Sequence, residues 1–252
     1  MNRRSFLGGL AAAAAGCQTA PDPADSTLRV LTYNTHHGEG VDGRLDLERI
    51  ARVIRDARAD LVALQEVDRR AHRTGGIDQS AEYLRRTGRS GWYGAAMPFQ
   101  GGEYGQVLLS RWPLAEPRVI RLPGTPGREP RIAVTAVVEP PGWGRLRWTG
   151  LHFDASRADE DRWEQAGALL RELSGEAIPQ LAAGDFNDPP ESRVLQRFLG
   201  AGGAWEDTAG AAGAPTVPAE APRSRIDFVL AAPRGRWRAV ESVVIAEAVA
   251  SD

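Results

Sequence analysis

The chain has 252 residues, 42% of them hydrophobic, which is ordinary for a globular protein and enough to build one sizeable core. A formal net charge of −2 gives no global basic field of the kind a dedicated duplex binder carries and leaves only a local basic cleft open. All 31 basic side chains are arginine, so Schiff-base chemistry, a phosphate-loop lysine and Ser-Lys catalysis are excluded.

The first residues carry a targeting pattern. Arg3, Arg4, Ser5, Phe6 and Leu7 precede a short apolar run over residues 10–15, then Gly16 and Cys17, and no acidic residue occurs before Asp22. This resembles a twin-arginine export signal joined to a lipobox, so residues 1–16 are expected to be removed and Cys17 to be lipidated. The apolar run is too short to span a bilayer. Cys17 is the only cysteine, which excludes an intrachain disulfide. Residues 17–27, rich in Pro, Asp, Ser and Ala, read as a tether, and the folded domain is expected over 28–252.

From residue 28 the chain mixes strand-like and helix-like segments without an internal repeat. Residues 28–33 are short, apolar and β-prone; Leu47, Ile50, Val53, Ile54 and Ala57 then recur at helical spacing, with Asp46 placed to cap them. Residues 61–64 form a continuous apolar run ending in Gln65 and Glu66, which suits a buried strand delivering a carboxylate at its C-terminal end and completes a βαβ unit. Residues 106–109, 132–138 and 146–151 read as strands separated by Pro and Gly turns, a more antiparallel pattern. A helix over 158–173 places Ala166, Leu169, Leu170 and Leu173 on one face; 180–183, 226–230 and 240–245 read as further strands, and 200–222 as a long surface loop. Two sheets packed face to face with helices outside fit this order. Trp143, Trp148, Trp163, Trp205 and Trp237 are expected in the core or at its edge.

Polar residues gather at or beside the ends of these strands: Asn34, Glu66, His152, Asp185, Asn187 and Asp227. Carboxylates with amide oxygens suit Mg²⁺ or Mn²⁺, which prefer oxygen ligands and retain waters, whereas zinc favours more His or Cys than this chain offers. The expected substrate is an anionic phosphate ester.

Six segments carry a family resemblance: Thr32-Tyr33-Asn34, Leu64-Gln65-Glu66-Val67-Asp68, the run from Tyr104 to Pro113, Gly150-Leu151-His152-Phe153-Asp154, Gly184-Asp185-Phe186-Asn187-Asp188, and Ser224-Arg225-Ile226-Asp227. Their types and order resemble the endonuclease/exonuclease/phosphatase superfamily, whose fold is deoxyribonuclease I-like. The resemblance implies an α/β fold, a four-layer α/β/β/α sandwich of two packed mixed sheets flanked by helices, with the site at one edge. It implies metal binding by Glu66, Asn34 and Asp252, activation of water by Asp185, a phosphate contact by Asn187, stabilisation of the phosphorane by His152, and orientation of a catalytic histidine by Asp227. That histidine is expected immediately after Asp252 and before a last strand. Its absence from the sequence motivates a rival reading, a surface-anchored binding module that has lost catalysis.

Arg131 lies where the family often has an arginine and is expected to touch substrate; Tyr104 is a candidate substrate contact that either donates to phosphate or packs. His36 and His37 follow Asn34 closely enough to reach the cleft, and Asn34-Thr35-His36-His37-Gly38 resembles a bacterial lipoprotein branch of the superfamily. The segments 73–79 and 99–104 read as loops, and His72 as a solvated loop residue. The overall expectation is a Mg²⁺-dependent phosphoric ester hydrolase, exported and tethered by a lipid anchor. The shared residues do not discriminate among nucleic acid, phospholipid head group and inositol phosphate as substrate, although the net charge of −2 leans against a dedicated duplex binder and the membrane tether suits lipid-derived or scavenged phosphate esters; no protein partner is indicated, and a monomer is expected.

Overall fold

The structure is a computed structural model that describes residues 27–246. The export signal, Cys17, most of the tether and Asp252 lie outside the described residues.

The chain forms β1 (Val30–Asn34), α1 (Leu47–Asp56), β2 (Leu61–Arg69), α2 (Gln79–Thr87), β3 (Ser90–Phe99), β4 (Gly102–Ser110), β5 (Leu114–Arg121), β6 (Ile132–Val138), β7 (Leu146–His152), α3 (Glu160–Leu173), β8 (Gln180–Asp185), α4 (Arg193–Leu199), β9 (Glu206–Asp207) and β10 (Asp227–Ala232). A four-stranded sheet has the order β1-β2-β4-β3 and a six-stranded sheet the order β5-β6-β7-β8-β10-β9. Both are mixed: β1 runs parallel to β2 and β7 to β8, while the other pairs are antiparallel. The expected α/β sandwich is the observed one.

The layering follows from strand alternation. In β2, Leu61 and Ala63 join Leu108 of β4, Val134 of β6, Trp148 of β7 and Ala183 of β8 in the layer between the sheets. Their neighbours Val62, Leu64, Val107 and Leu109 point the other way and pack under Leu47, Ile50 and Ile54 of α1 and Tyr83 of α2. On the far side, Ala182, Leu230 and Phe228 meet Ala166, Leu169 and Leu173 of α3 and Val194, Leu195 and Phe198 of α4. Gly150 permits the sheets to approach: a β-carbon there would lie 2.8 Å from Leu108 Cδ2 and 3.0 Å from Ala63 Cβ. Asp46 caps α1 as expected, its side chain accepting from the backbone N–H groups of Glu48 and Arg49.

Four expectations need correction. β2 does not end at Leu64 but continues to Arg69, with a bulge between Leu64 and Val67. Gln79 opens α2, and Phe99 and Gly102 lie in the paired hairpin of β3 and β4, so neither glycine-containing segment is wholly loop. The 200–222 segment includes β9, which pairs with β10. Residues 240–245 form no strand: Val240 and Val243 are 67% and 68% exposed. β propensity describes fit to a half-buried pleated surface, and this segment lies on none. Trp148 and Trp205 are buried, Trp163 packs against the α3/α4 core, and Trp143 stacks on Trp237. Among the described residues, no helix is long and apolar enough to cross a membrane.

Candidate active site

The alternation that fills the inter-sheet layer also builds the site. In β8, Leu181 and Ala183 face inward, so Asp185 does too; in β7, Leu146 and Trp148 set the same phase for His152. Register then places these residues side by side, with His152 opposite Asp185 in the parallel pair and Asp227 opposite Asp185 in the antiparallel one. Asp227 begins its strand, but because β10 runs against β8 its first residue meets the other's last. From the four-stranded sheet, Asn34 closes β1 and donates from Nδ2 to Glu66 Oε1 at 3.0 Å and to Asp185 Oδ2 at 3.4 Å. One amide thus connects carboxylates from both sheets.

Glu66 occupies the bulge of β2 with a left-handed φ of 58°, rather than a strand end. The extra residue re-aims its side chain. Thr35 secures the bulge, its hydroxyl donating to the carbonyls of Gln65 (2.9 Å) and Glu66 (3.2 Å). After β8, Asp185 Oδ1 accepts from the backbone of Asn187, which also has a left-handed φ, of 52°. The Asn187 side chain donates to the Phe153 carbonyl, tying this turn to the one after β7.

Arg131 donates from Nη1 to His152 Nδ1 at 2.9 Å and pairs with Glu129 at 2.9 Å. Because guanidinium has no acceptor, Nδ1 must accept, and the neutral ring carries its proton on Nε2. That nitrogen lies 3.6 Å from Asp185 Oδ2, too far for a good hydrogen bond, so the N–H remains available to a ligand. Burial, and secondarily the Arg131 charge, hold His152 well below the usual imidazole value. Burial also raises Asp185 well above the ordinary carboxylate value, reinforced by Asp227. Asp227 is itself pushed up to about 6 by burial, against the opposing effects of Thr216 and Arg225.

The structure therefore brings Asn34, Glu66, His152, Asp185, Asn187, Asp227 and Arg131 to one end of the sandwich. Tyr104 is 7% exposed and lines a small cavity with Arg131 and His152; burial raises its phenol pKa. His36 is attached to the site by its backbone N–H, which donates to Asn34 Oδ1 at 3.1 Å. Its ring meets that of His37, whose pKa is lowered by burial and then by Arg73. His72 is exposed, as expected.

Sequence reasoning missed the buttresses. Arg162 is buried, pairs with Asp188 at 2.9 Å, and donates to the Asp154 and Ser156 carbonyls, joining the turns after β7 and β8. Its signal was an arginine at helical spacing before Ala166, on the face assigned to the core. Arg73, in a segment expected to be loop, forms a two-point pair with buried Asp68 and lies over the Phe99 ring.

Among the described residues no group of three or more His, Cys, Asp or Glu side chains is arranged as a metal cage. The donor set, Glu66 with Asn34 beside it, instead fits an ion held by one or two protein oxygens plus water and a substrate phosphate, the habit of Mg²⁺.

Two mixed sheets sandwiched between helices, with polar residues converging at one end, define the deoxyribonuclease I-like class of fold. Residues 31–252 match the model of the Endonuclease/Exonuclease/phosphatase family, and the chain belongs to that family. Its members are hydrolases of phosphate esters. The chain is similar to an endonuclease/exonuclease/phosphatase from Beutenbergia cavernae DSM 12333, with 28% identity over 89% of this chain and 69% of that one and a TM-score of 0.73. A family member from Bacteroides vulgatus is 22% identical over 89% and 95% of the two chains, with a TM-score of 0.69. A mannosyl-6-phosphatase from Bacteroides thetaiotaomicron VPI-5482 is 18% identical over 82% and 86%, with a TM-score of 0.66. Among curated proteins, none matches the chain.

Proposed function

We propose that this protein is a divalent-metal-dependent phosphoesterase that hydrolyses a phosphodiester or phosphomonoester with activated water. The observation that carries the reading is the single Asn34 amide bonded to Glu66 of one sheet and Asp185 of the other. Glu66 and Asn34 would hold Mg²⁺ or Mn²⁺, with Asp252, outside the described residues, as a further ligand. When bound, the ion neutralises phosphate charge.

The remaining work belongs to the protein's own groups. Asp185, with proton affinity raised by burial, accepts the proton of the attacking water. His152 offers Nε2–H to a phosphoryl oxygen as negative charge grows there, Arg131 fixes that tautomer, and Asn187 supplies a second donor. Asp227 sits beside Asp185 to orient a further acid or base. Tyr104, His36 and His37 contact the remainder of the substrate.

The sequence pattern further supports export and anchoring through a lipid on Cys17, with the domain acting as a monomer at the cell envelope. Replacement of Cys17 by Ser is expected to move the protein from the membrane to the soluble fraction. Nucleic acid, phospholipid head groups and inositol phosphates are distinguished by assaying plasmid DNA, bis-p-nitrophenyl phosphate and a phosphatidylinositol phosphate in parallel, with Mg²⁺ and with EDTA. Metal-dependent turnover of at least one is expected; inactivity on all three would overturn the enzyme reading.

A further inference from the structure

Behind the His152–Arg131 contact lies a cavity of about 10 Å³, lined by Tyr104, Gln106, Arg131, Ile132 and His152 among others. Gln106 is 4% exposed and inward-facing, in phase with Tyr104 and Leu108 of β4. Its Nε2 donates to the Ile132 carbonyl at 2.8 Å, which fixes the amide orientation and turns Oε1 away from that bond. Oε1 is buried and has no protein partner, and neither does the buried Nε of Arg131. Both residues border the same cavity.

An orphaned acceptor and an orphaned donor are complementary. Leaving each unpaired is unfavourable, because a buried polar group without a partner loses its water and gains nothing in exchange, and a cavity of roughly 10–15 Å³ is the least that admits a water. We propose that one buried water accepts from Arg131 Nε and donates to Gln106 Oε1, making Gln106 a positioning residue that holds the guanidinium against His152. Arg131 then has a bond on each side: Nη1 to His152 and Glu129, and Nε to the water. This deepens the phosphoesterase reading and rests on it for its catalytic consequence, although the water site itself does not.

The test combines high-resolution crystal structures of the wild type and Gln106→Met with kinetics on bis-p-nitrophenyl phosphate. The wild type should show an ordered water within hydrogen-bond distance of both atoms, and Gln106→Met should lack it. Loss of one such bond lowers kcat about tenfold, with KM within about twofold because Arg131 acts through His152 on charge that develops during reaction. In an Arg131→Gln background, Gln106→Met should change kcat by less than about twofold, since the residue it acts through is gone. Gln106→Leu serves as a second apolar variant if Met does not fold. No bridging water in the wild type, or additive losses in the double variant, would overturn the proposal. If the wild type turns over no phosphate ester, the functional reading fails, while the two crystal structures still decide the water.

Discussion

Midway along the strands the space between the sheets is apolar, filled by Ala63, Leu108, Val134, Trp148 and Ala183; at the strand ends the same layer holds Asn34, His152, Asp185 and Asp227. The alternation that sends Ala183 inward sends Asp185 inward two residues later. One backbone rule therefore builds both regions, and side-chain chemistry separates a region that stabilises from a region that reacts. Burying carboxylates beside one another is unfavourable, so the reactive end is held in place by the apolar middle and by buttresses such as the Arg162–Asp188 pair.

That contrast can be broken from either side. Asp185→Asn removes the proposed base and should lower kcat about 10²–10⁴-fold, while thermal melting of the metal-free protein near neutral pH stays level or rises; a loss of Tm with activity retained would reverse the assignment. Arg162→Met leaves Asp188 buried without its partner, and denaturant unfolding should show a loss of about 3–5 kcal/mol, with activity reduced because the turns after β7 and β8 separate. Leu108→Ala, in the apolar region, should cost about 2–5 kcal/mol but leave kcat per folded molecule unchanged.

The smallest effect concerns pH. The folded value of Asp227, about 6, exceeds the ordinary 3.8, so between them the folded state binds more protons than the unfolded chain. The resulting stability is fully present below the ordinary value and is lost as pH rises through the folded one. Asp227→Asn should therefore flatten the fall in Tm of the metal-free protein between about pH 4 and pH 7. His152, shifted downward, acts in the opposite sense and is common to both proteins.

Much of this was legible in the sequence because the polar site residues follow apolar strand runs, whose period fixes the face each side chain takes. The bulge at Glu66 was not, since it depends on where the pairing with β4 resumes, at Val67 and Gly105. β3 carries Gly91, Gly94 and Pro98, residues that depress strand propensity, yet it pairs along β4, and Gly91 and Gly94 stand where close neighbours leave no room for a side chain. Residues 240–245 show the converse: β-branched residues without a surface to cover form no strand. Arg131's contact with His152 joins residues 21 apart in sequence and emerges only when β6 and β7 pair.

The central claim, that Glu66 and Asn34 together hold a divalent ion at this end of the sandwich, is tested most directly by titrating Mn²⁺ into metal-free protein and following free ion by electron paramagnetic resonance. The wild type should take up Mn²⁺ at a saturable site that Glu66→Gln weakens at least about tenfold, by analogy with loss of a charged hydrogen-bonding partner. Equal affinity in the two proteins would contradict the account.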